Sequence, residues 1–210
     1  MTRQAVANKR RTQQERVQAS DHAMLRAAIG LIVAKGPRAM TLAEVGKASG
    51  YSGGLATYRF GSKSGLLQAV SERILALWYQ RVLQPALREA SGTELLLGLA
   101  RVFLDNVRRR SDLLVAQIRL MNASHTSLPE LAPYFAHYDQ RLRAEIAADL
   151  RRLPGLPAGL DVEAFVVAYI GLLRGVAMQY FINERAFEPD AVLDMIAVIC
   201  RRTLDAKDTG

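Results

Sequence analysis

Thr41–Leu67 reads TLAEVGKASGYSGGLATYRFGSKSGLL, and the fold is decided in these residues. Thr41 followed three positions later by Glu44 is a capping box, which starts a helix. Leu42, Val45 and Ala48 (or Ser49) line one face of that helix at helical spacing. Gly50 supplies the left-handed residue on which the chain turns away. Ser52 caps a second short helix, Gly53 to Arg59, whose Leu55, Ala56 and Phe60 can pack back on the first. Gly61-Ser62 ends it, and Ser62 caps a longer third helix. Two short helices joined by a three- or four-residue turn containing Gly make a helix-turn-helix, whose second helix enters the DNA major groove.

A competing pattern overlaps it. Gly50-Tyr51-Ser52-Gly53-Gly54 fits G-x-S-x-G, the nucleophile elbow of an α/β-hydrolase, which needs an apolar strand before it and a buried sheet around it. Leu42 to Ser49 are helical in pattern instead, with Glu44 and Lys47 among them, and no strand-like run surrounds His125 or His137. A hydrolase using Ser52 is thus an alternative that the context opposes.

Outward from this stretch, charge is unevenly placed. Residues 1–63 hold 11 Lys/Arg against 3 Asp/Glu, whereas residues 64–210 hold 17 of each. The whole formal excess of +8 therefore lies in the first third, the electrostatic footprint expected for binding phosphates. Half of the residues are apolar and 23% charged, a globular balance. One cysteine, Cys200, excludes an intrachain disulfide and fits a reducing compartment. The first twenty residues lack the apolar core of a signal peptide. The longest apolar run, Phe165 to Leu173, is too short to span a bilayer. A soluble, cytoplasmic protein without a membrane segment is expected.

Residues 1–19 are expected to form a basic arm carrying Arg3, Lys9, Arg10, Arg11 and Arg16, without apolar periodicity. A helix starts near Ser20, with Leu25, Ala28, Ile29, Ile32 and Val33 on one face, and Gly36-Pro37 stops it. At this point LRAAIGLIVAKGPRAMTLAEVGKASGYSGGLATYRFGSKSGLL resembles the DNA-binding domain of the TetR family of bacterial regulators. The helix ending in Lys35-Gly36, the Thr41 start, Gly50-x-Ser52-x-Gly54 and Phe60-x-x-Lys63-x-x-Leu66 carry the resemblance. The family usually has Ala where Gly46 and Ser49 stand, Val at Tyr51, Tyr at Thr57, and His or Tyr at Arg59.

Downstream the pattern stays helical. The fourth helix should run from Lys63 to about Leu83, with Pro85 bending or ending it. Leu95, Leu99, Val102, Phe103 and Asn106 mark a fifth helix, ending at Arg108-Arg109-Arg110. Ser111 caps a sixth, and Asn122 to Pro133 reads as a loop. Phe135, Tyr138, Leu142, Ile146, Leu150 and Leu153 stripe a seventh. Asp161 caps the eighth and Pro189 opens the ninth. No segment has strand period. The expected fold is all-α, about nine helices, with a basic arm (1–19), a helix-turn-helix domain (20–65) and an effector-binding and dimerisation domain (66–210).

Residues 162–182 and 190–204 are apolar around most of their circumference, which a surface helix is not. Val166, Leu173, Val176, Tyr180, Val192, Ile196 and Ile199 are the expected dimer contacts, and the family's C-terminal helices likewise form a four-helix interface. The DNA-binding candidates are Thr41, Arg59 and Lys63 at helix ends facing phosphate, with Ser52, Gly53, Gly54, Leu55, Thr57 and Tyr58 on or beside the recognition helix. A small, largely apolar effector would meet Trp78, Phe103, Ile118, Met121, Tyr138, Phe165 and Tyr169. Arg174 either pairs with a carboxylate or anchors an anionic effector. As the resemblance implies, such an effector would shift the fourth helix and respace paired recognition helices, so that a repressor leaves its pseudo-palindromic operator. No catalytic residue, cofactor or metal site is expected. The other alternative is an architectural DNA-binding protein without an effector.

Overall fold

The computed structural model describes residues 12–185 and 187–205, and these are helical without a strand. The basic arm up to residue 11 lies outside the described residues. The chain divides into two compact units between Val70 and Ser71.

In the first unit α1 spans Gln13–Lys35, α2 Leu42–Ser49 and α3 Gly53–Phe60, followed by the first turns of α4, Lys63–Trp78. α1 begins seven residues ahead of the expected Ser20. Thr12 and Glu15 form a capping box, so a polar, exposed first turn is held by its own caps although it has no apolar stripe. Met24, Ala28, Ile32, Met40, Val45, Ala56, Leu66, Leu67 and Val70 are all fully buried and form the core of this unit. The Thr41–Glu44 capping box and the left-handed Gly50 stand where the sequence puts them.

In the second unit α4 runs on through a π-turn, Tyr79–Leu83, into α5, Gln84–Glu89. Pro85 therefore neither ends nor breaks the helix. Gln84 N–H reaches back five residues to the Tyr79 carbonyl, and this widened turn absorbs a ring that would otherwise strike the carbonyl four residues earlier. Counting that rod once, the described residues hold nine. The remaining helices are α6 Gly92–Arg108, α7 Asp112–Ser124, α8 Ala132–Leu150, α9 Val162–Ile182 and α10 Pro189–Leu204. α7 ends three residues later than expected, at Ser124, and α8 starts at Ala132, so the loop between them shrinks. Leu153 belongs to no helix. It lies just before Pro154, where helical backbone is disfavoured, and its side chain covers Gly92. α6 packs on α10 and α9, and α8 on α9, around a core that includes Leu95, Leu96, Ile146, Val166, Leu173, Ile196 and the fully buried Cys200.

By length and composition α9, 21 residues, can cross a bilayer, against the expectation taken from the shorter run Phe165 to Leu173. Its Val162, Val166, Tyr169, Ile170, Leu173, Ala177 and Tyr180 are instead buried within this unit, as in the core helix of a folded domain.

Candidate DNA-binding surface and ligand cavity

α2 and α3 meet closely because two glycines let them. A Cβ on Gly46 would lie 2.6 Å from Gly53 N and from Ser52 C, and one on Gly53 2.9 Å from Ala43 Cα. Gly53 thus serves helix packing. Gly54, whose nearest neighbour would be Ser52 Oγ at 3.8 Å, is open. Ser52 caps α3, its Oγ accepting from Leu55 N–H at 3.1 Å. With a helix before Ser52 and no strand among the described residues, it is not placed as a nucleophile elbow requires.

Gly54, Thr57 and Tyr58 form the exposed face of α3, Tyr58 being 82% exposed. Leu55 is half-buried. The Thr57 hydroxyl donates to the Gly53 carbonyl at 3.1 Å, which leaves an acceptor lone pair and a methyl group. Thr41 is exposed, but its hydroxyl donates to Glu44 Oε2 at 2.8 Å and caps α2. Arg59 departs furthest from expectation. Its guanidinium forks onto Asp21 of α1, with Nε to Oδ1 at 2.7 Å and Nη2 to Oδ2. A guanidinium already paired in both directions ties α3 to α1 and is not a free phosphate clamp. Lys63 donates to the Arg38 carbonyl, and an ammonium has two further donors. Arg38, Lys47 and Tyr51 are exposed in the same unit and were not among the candidates. For Arg38 and Lys47 the signal was the local excess of positive charge.

Lys35 pairs with Glu44. That hydrogen bond, and then the one from Thr41, lowers the Glu44 carboxyl from 4.5 to about 2.

The second unit holds a cavity lined by Trp78, Leu99, Phe103, Gln117, Tyr138, Leu142, Ile146, Tyr169, Ile170, Leu173 and Arg174. The free space inside it is about 60 Å³, room for several water molecules. Trp78 and Phe103 meet edge to face with centroids 6.2 Å apart, and the Tyr169 hydroxyl donates to the Leu96 carbonyl at 2.5 Å. Burial pushes the Tyr138 and Tyr169 hydroxyls well above their ordinary values, so both stay protonated. Of the expected lining, Trp78, Phe103, Tyr138, Tyr169 and Arg174 are present. Ile118 packs instead on the cluster of Val107, Leu114, Ala177 and Tyr180, and Phe165 packs against the main core. Met121 does not line the cavity. Leu99, Gln117, Leu142, Ile146, Ile170 and Leu173 were missed, because ordinary core residues and cavity residues share one helical pattern. Arg174 lines the cavity with both Nη atoms on Asp139, at 2.9 and 2.5 Å, which is the carboxylate pairing and not an open anion anchor.

Arg108 and Arg109, at the expected end of the fifth helix, both reach Asp105 at 3.1 Å, while Arg110 pairs with Glu184. The predicted dimer residues separate into three groups. Val166, Leu173, Tyr180 and Ile196 turn into this chain's own core, Val176 and Val192 are half-buried, and Ile199 is exposed. Helical periodicity shows that two faces are apolar without saying which of them the chain itself covers.

Two family descriptions match the chain. Residues 24–70 match the bacterial regulatory proteins of the tetR family, and residues 92–205 match the C-terminal domain of BetI-type transcriptional repressors. The chain belongs to the TetR family. It is a ligand-responsive, DNA-binding transcriptional regulator. No curated protein sequence matches it significantly. Among solved structures it resembles a protein from Saccharomonospora viridis assigned to transcriptional regulation and solved with choline. That pair shows 18% identity and TM-score 0.76, with 89% of this chain and 98% of the other covered. A Rhodococcus sp. protein assigned to the TetR family gives 18% identity and TM-score 0.73, covering 89% and 99%. AibR, solved with isovaleryl coenzyme A and operator DNA, gives 16% identity and TM-score 0.68, covering 86% and 97%. At these identities the likeness is one of fold.

Proposed function

We propose that this TetR-family chain is a repressor that binds a pseudo-palindromic operator as a homodimer and releases it when a small, largely apolar molecule enters the cavity. The observation that carries the reading is the pairing of an unobstructed α3 face, Gly54, Thr57 and Tyr58, with an aromatic cavity touched by the same helix that follows it. α4 begins at Lys63 in the first unit and ends at Trp78 in the wall of the cavity. A ligand pressing on Trp78 therefore acts on a helix whose first turn belongs to the DNA-binding unit. We assign residues 20–65 to DNA binding and 66–210 to effector binding and dimerisation, and place the protein in the cytoplasm with its operator. AibR, solved with both a ligand and operator DNA, supports a function that couples the two.

The dimer surface in this reading is the part of α9 and α10 that this chain leaves uncovered. Val167, Met178, Met195, Val198 and Ile199 are 39 to 58% exposed, and nothing lies within 4 Å of a Cβ built on Gly171 or Gly175. Exposed apolar side chains beside open glycines suit close helix approach by a second copy.

Selecting DNA from a random pool tests the reading. An inverted repeat should emerge, with half-sites about one helical turn, roughly 34–36 Å, apart or close to it. Enrichment of sequences without two-fold symmetry would remove the dimer-on-operator reading. Binding insensitive to every apolar compound tried would favour the architectural alternative.

A further inference from the structure

Next to the cavity lies a wider groove, about 750 Å³, lined by Glu72, Tyr79, Gln80, Tyr134, His137, Arg141 and others, and the two spaces share Tyr138. Both walls change character at the same level. On α8, Leu142 and Ile146 line the inner cavity, Tyr134, His137 and Arg141 line the outer groove, and Tyr138 stands between. On the facing wall Trp78 borders the inner space, and Tyr79 and Gln80 the outer. The inner end is apolar, and its one cation, Arg174, is neutralised by Asp139. The outer end presents Arg141, whose guanidinium lies 3.9 Å above the Tyr79 ring. Its ion pair with Glu145 uses Nε at 3.0 Å and leaves neither Nη on a carboxylate. Glu145 is itself held by the Tyr79 hydroxyl at 3.0 Å. The guanidinium is thus held by stacking and by its hydrogen bonds to Glu145 and the Tyr79 side chain, in the lining of the groove. Glu72, the acid on the same rim, has an interaction of its own.

We propose that the effector is an amphiphilic carboxylate, its apolar end reaching the inner cavity beside Trp78 and its carboxylate on the Nη edge of Arg141, with Tyr138 marking the boundary. This rests on the cavity being the effector site. A neutral inner pocket gives no partner to a buried anion, which is costly to desolvate, whereas a stacked guanidinium whose Nη atoms meet no carboxylate matches a carboxylate in geometry and charge.

Trp78 is the only tryptophan and reports directly on the inner space. Its emission should be titrated with decanoate, decanol and decyltrimethylammonium below their aggregation limits, in the full chain and in Arg141→Gln. Decanoate should bind tightest, and Arg141→Gln should weaken it by about tenfold or more while leaving decanol unchanged. If decanol bound as tightly as decanoate, if the ammonium bound best, or if the substitution weakened decanoate and decanol alike, the head-group assignment would be wrong and the cavity reading would stand. If no probe altered Trp78 emission, the cavity reading itself would fail, and this assignment with it.

Discussion

Side-chain partners divide the candidate DNA contacts into two roles at the scale of single residues. Lys63 keeps two ammonium donors beyond its bond to the Arg38 carbonyl. Lys63→Ala should weaken binding to all sequences alike and reduce the salt dependence by about one unit per subunit. Thr57 has already committed its hydroxyl proton to Gly53, so its methyl group and an acceptor lone pair are what remain to meet a base. Thr57→Ser, which removes only that methyl, should relax preference at one base pair by on the order of 1 kcal/mol and leave the salt slope as it was. Competition binding across single-base operator variants separates these outcomes. Glu44 sets a pH window. Its folded-state value of about 2 lies below the ordinary 4.5, so the stability it contributes is complete above about 4.5 and disappears as pH falls toward 2. Glu44→Gln should flatten the acid limb of a pH–stability profile measured by urea unfolding in that interval. An unaltered limb would mean that the Lys35 and Thr41 contacts do not persist in solution.

Glycines decide the outcome for the elements. The α2–α3 crossing has no room for a methyl group at Gly46, because backbone atoms of Ser52 and Gly53 would lie 2.6 to 2.7 Å away. Gly46→Ala should therefore cost about 1–3 kcal/mol through overpacking and abolish operator binding by displacing α3. Gly54→Ala meets open space and should gain up to about 1 kcal/mol of helix stability. If the α3 backbone approaches the groove there, the same change should weaken DNA binding. Thermal melts and operator titrations of the two variants should thus move in opposite directions in stability and in the same direction in affinity. The Thr41–Glu44 capping box, the Gly50 turn and the Asp161 and Pro189 starts were legible in the sequence because each depends on residues a few positions apart. The start of α1 was not legible in its periodicity although Thr12 and Glu15 spell the same box, since its first turns are polar and carry no apolar stripe. The π-turn before Pro85 was not legible. A proline says that a hydrogen bond is lost, not whether the helix stops or widens around it.

For the whole molecule, self-association must use apolar surface that one chain leaves exposed. Val198→Glu, on a residue 42% exposed, should give monomers by light scattering with undiminished helical circular dichroism. Ile196→Glu, on a residue 2% exposed, should unfold the chain, because a buried unpaired carboxylate costs several kcal/mol. A wild-type monomer at micromolar concentration would end the dimer proposal. The two substitutions lie two positions apart on one helix, and nothing local distinguishes them. The sequence by itself determined the helical class, the helix-turn-helix, the placement of positive charge and the two-sided apolarity of α9 and α10, because caps, turns, periodicity and net charge are properties of short or summed stretches. Tertiary structure alone decided that Arg59 belongs to Asp21 and Arg174 to Asp139, that Gly53 packs while Gly54 is open, and which inward residues border empty space. Those outcomes depend on which distant side chain arrives opposite each residue, and helical spacing specifies a face without specifying what that face meets.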